Sequence, residues 1–100
     1  MTVHVLLEHR VPDFDDWKRA FDADPIDREG SGVRAYRVLR PVGNRNHVVV
    51  DLEFDKLDQA TAFRAALVRL WDSTPAQAVM ANPTVRIVDV IEVREYAMKS

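Results

Sequence analysis

The sequence predicts an α+β domain built in the order β-α-β-β-α-β, and three observations carry that prediction. Residues 2–11 and 47–54 alternate apolar with polar side chains as half-buried strands do, while two other stretches carry aromatic and aliphatic residues at helical spacing. The two kinds of pattern take turns along the chain. With 100 residues, 47% of them apolar and 30% charged, the composition suits one folded core and neither a disordered nor a membrane-spanning chain.

From Thr2 to Val11, apolar Val3, Val5, Leu7 and Val11 alternate with a polar set that includes His4, Glu8 and Arg10, which makes strand one. Pro12-Asp13 ends it. Asp13 is placed to cap a helix, Asp15 and Asp16 suit its positive end, and Phe14, Trp17 and Phe21 repeat at helical spacing. This helix is expected to stop near Asp24-Pro25, with Asp24 capping one further turn through Arg28 that Gly30-Ser31-Gly32 closes. In strand two, Val33, Ala35 and Leu39 alternate with Arg34, Tyr36 and Arg40, and residues 41–46 loop it into strand three as a hairpin. Val48, Val50, Leu52 and Phe54 share one side of strand three, and His47, Val49, Asp51 and Glu53 the other. Asp55 with Asp58 resembles a capping pair before helix two, whose stripe of Leu57, Ala60, Phe63, Leu67, Leu70 and Trp71 runs to Asp72. Ser73-Thr74-Pro75 opens a short extra helix ending at Asn82-Pro83, and Val85 to Glu95 forms the last strand. Residues 1–96 thus form a single domain, and 97–100 a C-terminal tail.

This is the ferredoxin-like split βαβ order: an antiparallel sheet with strands one and three at its centre and both helices on one face. Phe14, Trp17, Phe21, Phe63, Leu67 and Trp71 are then expected to meet the apolar faces of strands one and three. The other sheet face carries His4, Leu6, Glu8, His47, Val49, Asp51 and Glu53, and Arg34, Tyr36, Val38, Arg40, Val88, Val90, Glu92 and Arg94 are expected to join it. Such a face is either solvated or covered by a second copy with charges at the rim. Its valines and tyrosine favour the second, a homodimer.

Composition removes several function classes. Fourteen basic against 16 acidic side chains leave a net charge of −2, without a general pull towards phosphate backbones or anionic lipid. Strands one and three also lack the aromatic platform of RNA-binding sheets, so no nucleic acid and no membrane is expected as a partner. The absence of cysteine excludes disulfides, thiolate catalysis and thiolate-bound metals. Ser31, Ser73 and Ser100 form no nucleophile elbow, and Gly30, Gly32 and Gly43 no phosphate loop. The first residues show no basic and apolar leader, which predicts a cytoplasmic location.

Candidate functional residues follow from the faces. His9 closes strand one on the helix side beside Trp17, where it is either an acid/base group titrating near neutral pH or a histidine satisfied by a loop carbonyl. His4 and His9 point to opposite faces and cannot share a metal. His4 with His47, Asp51 or Glu53 suits a metal or a set of ion pairs, and ion pairing is the commoner outcome, so no metal is expected. Trp17 and Trp71 are candidates to stack on a planar ligand, and Tyr36, with Arg37 and Arg40, to hold an acidic or phenolic group. Core packing and surface ion pairs account for the same residues.

The segment His9-Arg10-Val11-Pro12-Asp13-Phe14-Asp15-Asp16-Trp17-Lys18-Arg19-Ala20-Phe21-Asp22 resembles the H-x-V-x-D-[FY]-D-x-W-K-x-x-F-D opening of some dimeric α+β barrel proteins, the antibiotic-biosynthesis-monooxygenase-like or cyclase-like group. Glu53-Phe54-Asp55 and Ala60-Thr61-Ala62-Phe63 are similar to that group's third strand and second helix, so the resemblance spans nearly the whole chain. It implies two sheets packed face to face as a dimeric barrel, helices outside, and a pocket between sheet and helices in each protomer. Arg28 matches an arginine found after helix one in similar proteins and is a substrate-binding candidate with Trp17, Tyr36 and Trp71. The resemblance further implies small-molecule binding, with cofactor-independent monooxygenase or cyclase chemistry on an aromatic or polyketide-like substrate and no cofactor. The alternative is a non-catalytic homodimeric metabolite-binding or structural protein. The early strand-one asparagine of the haem-degrading branch is missing, since Asn44, Asn46 and Asn82 are expected in loops, and of the asparagine and tryptophan of quinone-forming members only Trp71 offers a match.

Overall fold

Four antiparallel strands form one sheet in the order β2-β3-β1-β4, made of β1 (Val3–Arg10), β2 (Ala35–Leu39), β3 (His47–Phe54) and β4 (Ala81–Asp89). The computed structural model describes residues 2–97, and its helices are α1 (Phe14–Asp22), α2 (Leu57–Trp71) and α3 (Thr74–Val79). The two long alternating strands lie at the centre, as the ferredoxin-like order requires. Their inward residues Val3, Val5, Leu7, Val48, Val50, Leu52 and Phe54 are buried against Trp17, Phe63 and Leu67 from the helices. That closely packed layer is the core.

Local chemistry explains the helix ends. The Asp13 carboxylate accepts the Asp16 amide at the start of α1, and the Ser73 hydroxyl accepts the Ala76 amide at the start of α3. Helix α2 departs from expectation: its N-cap is Lys56 without a side-chain cap, because both Asp55 carboxylate oxygens are taken at 2.8 Å by Arg34. Asp58 instead accepts the neighbouring Gln59 amide. The turn after α1 does not become helix. Asp24 does accept the Arg28 amide at 2.9 Å, but Asp24 and Asp27 take φ of 54° and 57°, and the chain reverses as a series of turns. Gly32 follows at φ 100° with the Gln59 side chain close enough to clash with any Cβ there.

Strand two runs in the opposite phase to the one its sequence suggests. Tyr36 pairs with Leu52 and Val38 with Val50, so these two face the helices, while Arg37 pairs with Asp51 on the open side. One step of register exchanges every side chain between faces. Tertiary contact decides the phase: Val38 packs on the core, and the Tyr36 ring meets Phe21 edge-on with centroids 5.3 Å apart.

The last strand begins at Ala81 rather than Val85 and ends at Asp89 rather than Glu95, and α3 stops at Val79. An edge strand tolerates Pro83, and Asn82 takes φ 56° where the β1–β4 register shifts between Glu8 and Arg10, beside His9. Asn82 therefore lies in a strand and not in a loop. After Val90, whose amide bonds the Thr2 carbonyl, residues 91–97 have no regular structure, and Ile91, Val93 and Tyr96 are exposed. Met98, Lys99 and Ser100 of the expected tail lie outside the described residues.

Candidate functional site

Helix α1 is short, and the turns behind it hold the chain away from the sheet. Arg28 fastens this corner: its guanidinium donates to the Phe21 carbonyl at 2.9 Å, lies 3.5 Å from Asp24, and sits 3.9 Å over the Phe21 ring and 5.0 Å from that of Tyr36. Behind the corner is a cavity of about 280 Å³ between sheet and helices. Leu7 and Leu52 form its floor, Trp17, Phe21, Phe63, Leu67 and Trp71 its walls, and Ala76, Val79 and Met80 close the α3 side. The polar residues among its lining are His9, Asp24, Arg28 and Ser73.

His9 is the buried ionisable group of this cavity, with 2% of its surface exposed and its ring centroid 5.5 Å from that of Trp17. Desolvation lowers its pKa from 6.5 to about 4, opposed by its hydrogen bond to the Arg10 carbonyl and assisted by the charge of His47. His9 is therefore neutral at pH 7. A carbonyl can only accept, so at 3.3 Å Nδ1 carries the ring proton and Nε2 keeps a lone pair. Among the described residues the hydrogen bond His9 makes through its ring is this one from Nδ1, which leaves Nε2 available.

The structure thus brings His9, Trp17, Arg28 and Trp71 around one cavity. Tyr36 stands outside it, on the helix side of β2 against Phe21 and Arg28. The walls supplied by Ile26 and by α3 were not singled out from the sequence. The Ser73-Thr74-Pro75 start signal announces a helix but does not say what the helix covers.

On the open face, His4 Nδ1 lies 2.5 Å from Asp51, its Nε2 3.6 Å from Glu53, and Arg37 donates to the other Asp51 oxygen at 2.9 Å. His47 bonds Glu8 at 2.8 Å. Burial pushes the Asp51 carboxyl upward, but the hydrogen bonds and charges of His4 and Arg37 outweigh it and hold the group below its ordinary value. His47 pairs with Arg10, which stands six strand residues beyond His4, so the two imidazoles are roughly 20 Å apart. Among the described residues no group of three or more His, Asp or Glu side chains is placed to hold a metal ion, and no helix is long and apolar enough to cross a membrane. Arg34, Tyr36, Val38 and Arg40, expected on this face, share the opposite phase of β2 and its continuation, while Val88 does lie here opposite His4.

No protein-family model matches the chain, and no curated protein does. Solved structures do match. SnoaB, a cofactor-independent oxygenase from Streptomyces nogalater, aligns with a TM-score of 0.72 at 16% identity over 92% of this chain and 95% of that one. A dimeric ferredoxin-like protein from an uncultured marine organism gives 0.62 at 19% identity over 92% and 98%. The heme-degrader MhuD from Mycobacterium tuberculosis, solved with two hemes in its active site, gives 0.69 at 16% over 93% and 99%. The chain shares the ferredoxin-like α+β fold of these proteins. At these identities the likeness concerns that architecture alone, and the chemistry carried on it differs between the neighbours themselves.

Proposed function

We propose that the chain is a small-molecule-binding protein whose cavity takes a flat, uncharged, hydroxyl-bearing aromatic or polyketide-like molecule. The observation that carries this reading is the hydrogen-bond acceptor His9 Nε2 set among aromatic walls, in a cavity whose two charged lining residues, Asp24 and Arg28, are paired with each other at its corner. Trp17 and Trp71 supply planar surfaces, and Arg28 holds the corner in place rather than reaching for substrate. A benzene-sized ligand needs a cavity of roughly 150 Å³, so this one, at about 280 Å³, has room for a second fused ring. The reaction of the enzymatic form is cofactor-independent oxygenation by dioxygen, or cyclisation, with His9 taking the hydroxyl proton; SnoaB, a cofactor-independent oxygenase on the same fold, supports the oxygenation.

One observation favours the non-catalytic alternative. An imidazole with a pKa of about 4 is a weak base at pH 7, better suited to accepting a hydrogen bond than to removing a proton. Calorimetry with 2-naphthol, paired with oxygen-uptake measurements on the dihydroxylated analogue without added cofactor, separates the two. Saturable binding that falls about tenfold in His9→Phe supports the site. Oxygen uptake supports the enzyme, its absence the binder, and no binding at all removes both.

The same reading includes a cytoplasmic homodimer formed through the open sheet face. Leu6, Val49 and Leu39 lie there between the ion pairs, and Ile91 and Val93, beyond the end of β4, are exposed. Leu6→Arg should halve the mass seen by light scattering while circular dichroism stays unchanged. A wild-type chain that is monomeric at high concentration would refute the dimer.

A further inference from the structure

A second, more open groove lies on the far side of the cavity wall. Trp71 and Met80 line both hollows and are the residues common to the two. The groove differs chemically from the cavity, because Asp72, Gln77 and Asn82 stand around it, all three exposed. Among the described residues none of these three side chains is engaged in a hydrogen bond or ion pair within the fold. Asn82 is also held at φ 56° where the edge strand breaks register, which places its amide at the rim independently of any side-chain partner.

We infer that the groove beyond Trp71 and Met80 is a subsite for a neutral, polyhydroxylated substituent, such as a sugar, on a ligand whose flat part fills the cavity. This rests on the small-molecule reading above. Met80 is unbranched and can swing between rotamers, so the partition yields without disturbing the sheet. The two amides both donate and accept, matching hydroxyl groups, and the Asp72 carboxylate accepts from hydroxyls while repelling anions. The substituent is therefore not an anion.

Calorimetry with 2-naphthol and with 6-hydroxy-2-naphthyl β-D-glucoside, which keeps a free phenolic hydroxyl for His9, tests the subsite. The wild-type chain should bind both, and 6-hydroxy-2-naphthyl sulfate more weakly than the glucoside. The variant carrying Gln77→Ala and Asn82→Gly, which keeps the left-handed backbone at 82, should lose about tenfold for the glucoside and less than about twofold for the naphthol. If that variant melts early, Gln77→Ala alone, on the exposed side of α3, should show the same difference at about threefold. Equal losses for both ligands, or a glucoside excluded while the naphthol binds, would overturn the subsite alone. Failure of 2-naphthol to bind would overturn the cavity reading and the subsite with it.

Discussion

On the helix-covered face of the sheet, His9 is stripped of its charge by burial among aromatic rings, whereas His4 of the same strand sits 2.5 Å from Asp51 and 3.6 Å from Glu53 on the open face. The pleat alone separates them. Helices cover the first face and exclude water, so polar groups there must be neutral or internally bonded. The second face keeps its charges by pairing them, His4 and Arg37 on Asp51 and His47 on Glu8. One strand thus carries a cavity-lining histidine on one side and an ion-paired, partly exposed face on the other.

The difference between the faces can be broken most severely in the core. Phe54→Ala should cost about 3–5 kcal/mol in urea unfolding, because a fully buried ring in contact with Phe63 is replaced by a void. Leu39→Ala, half-exposed on the open face, should cost the protomer under about 1 kcal/mol. Comparable losses would mean that the open face is as tightly packed as the covered one.

A smaller effect is expected from Asp51→Asn, about 1.5–3 kcal/mol, since it removes the carboxylate charge and leaves one acceptor oxygen for the two partners His4 and Arg37. Its pH dependence has a definite sign. The folded-state pKa lies below the ordinary value of 3.8, so the stabilisation is complete above that value and disappears as pH falls through the folded pKa. The variant should therefore show a shallower loss of stability in acid, and an unchanged acid limb would remove Asp51 from the account.

How far these faces were legible in advance depended on the strand. In β1 and β3 every inward position except His9 is apolar, so the covered face, the core and the placement of His9 beside Trp17 could be read directly. In β2 both phases are half apolar, Val33, Ala35 and Leu39 against Tyr36 and Val38, and only the rings of Phe21 and Tyr36 meeting across the fold break the tie. That is why Tyr36 was expected on the wrong face. The end of β4 follows its pairing with β1, where Asp89 stands opposite Val3, and no pattern within β4 records that partner. The six residues of α3 are too few to show a face, and its share of the cavity was hidden for the same reason.

The gentlest perturbation of the covered face is pH. Between pH 6.5 and about 4 the unfolded chain protonates His9 while the folded chain does not, so folding stability should fall across that window and level off below it. His9→Phe should flatten this slope, and an unaltered slope would show that His9 is already charged when folded.

The most direct measurement is therefore the nitrogen NMR spectrum of the His9 ring, free and saturated with 2-naphthol, at pH 7. A neutral ring with its proton on Nδ1, and an Nε2 resonance that shifts when the phenol is added, is the predicted result. A doubly protonated ring, or an Nε2 signal indifferent to a ligand bound elsewhere, would contradict it.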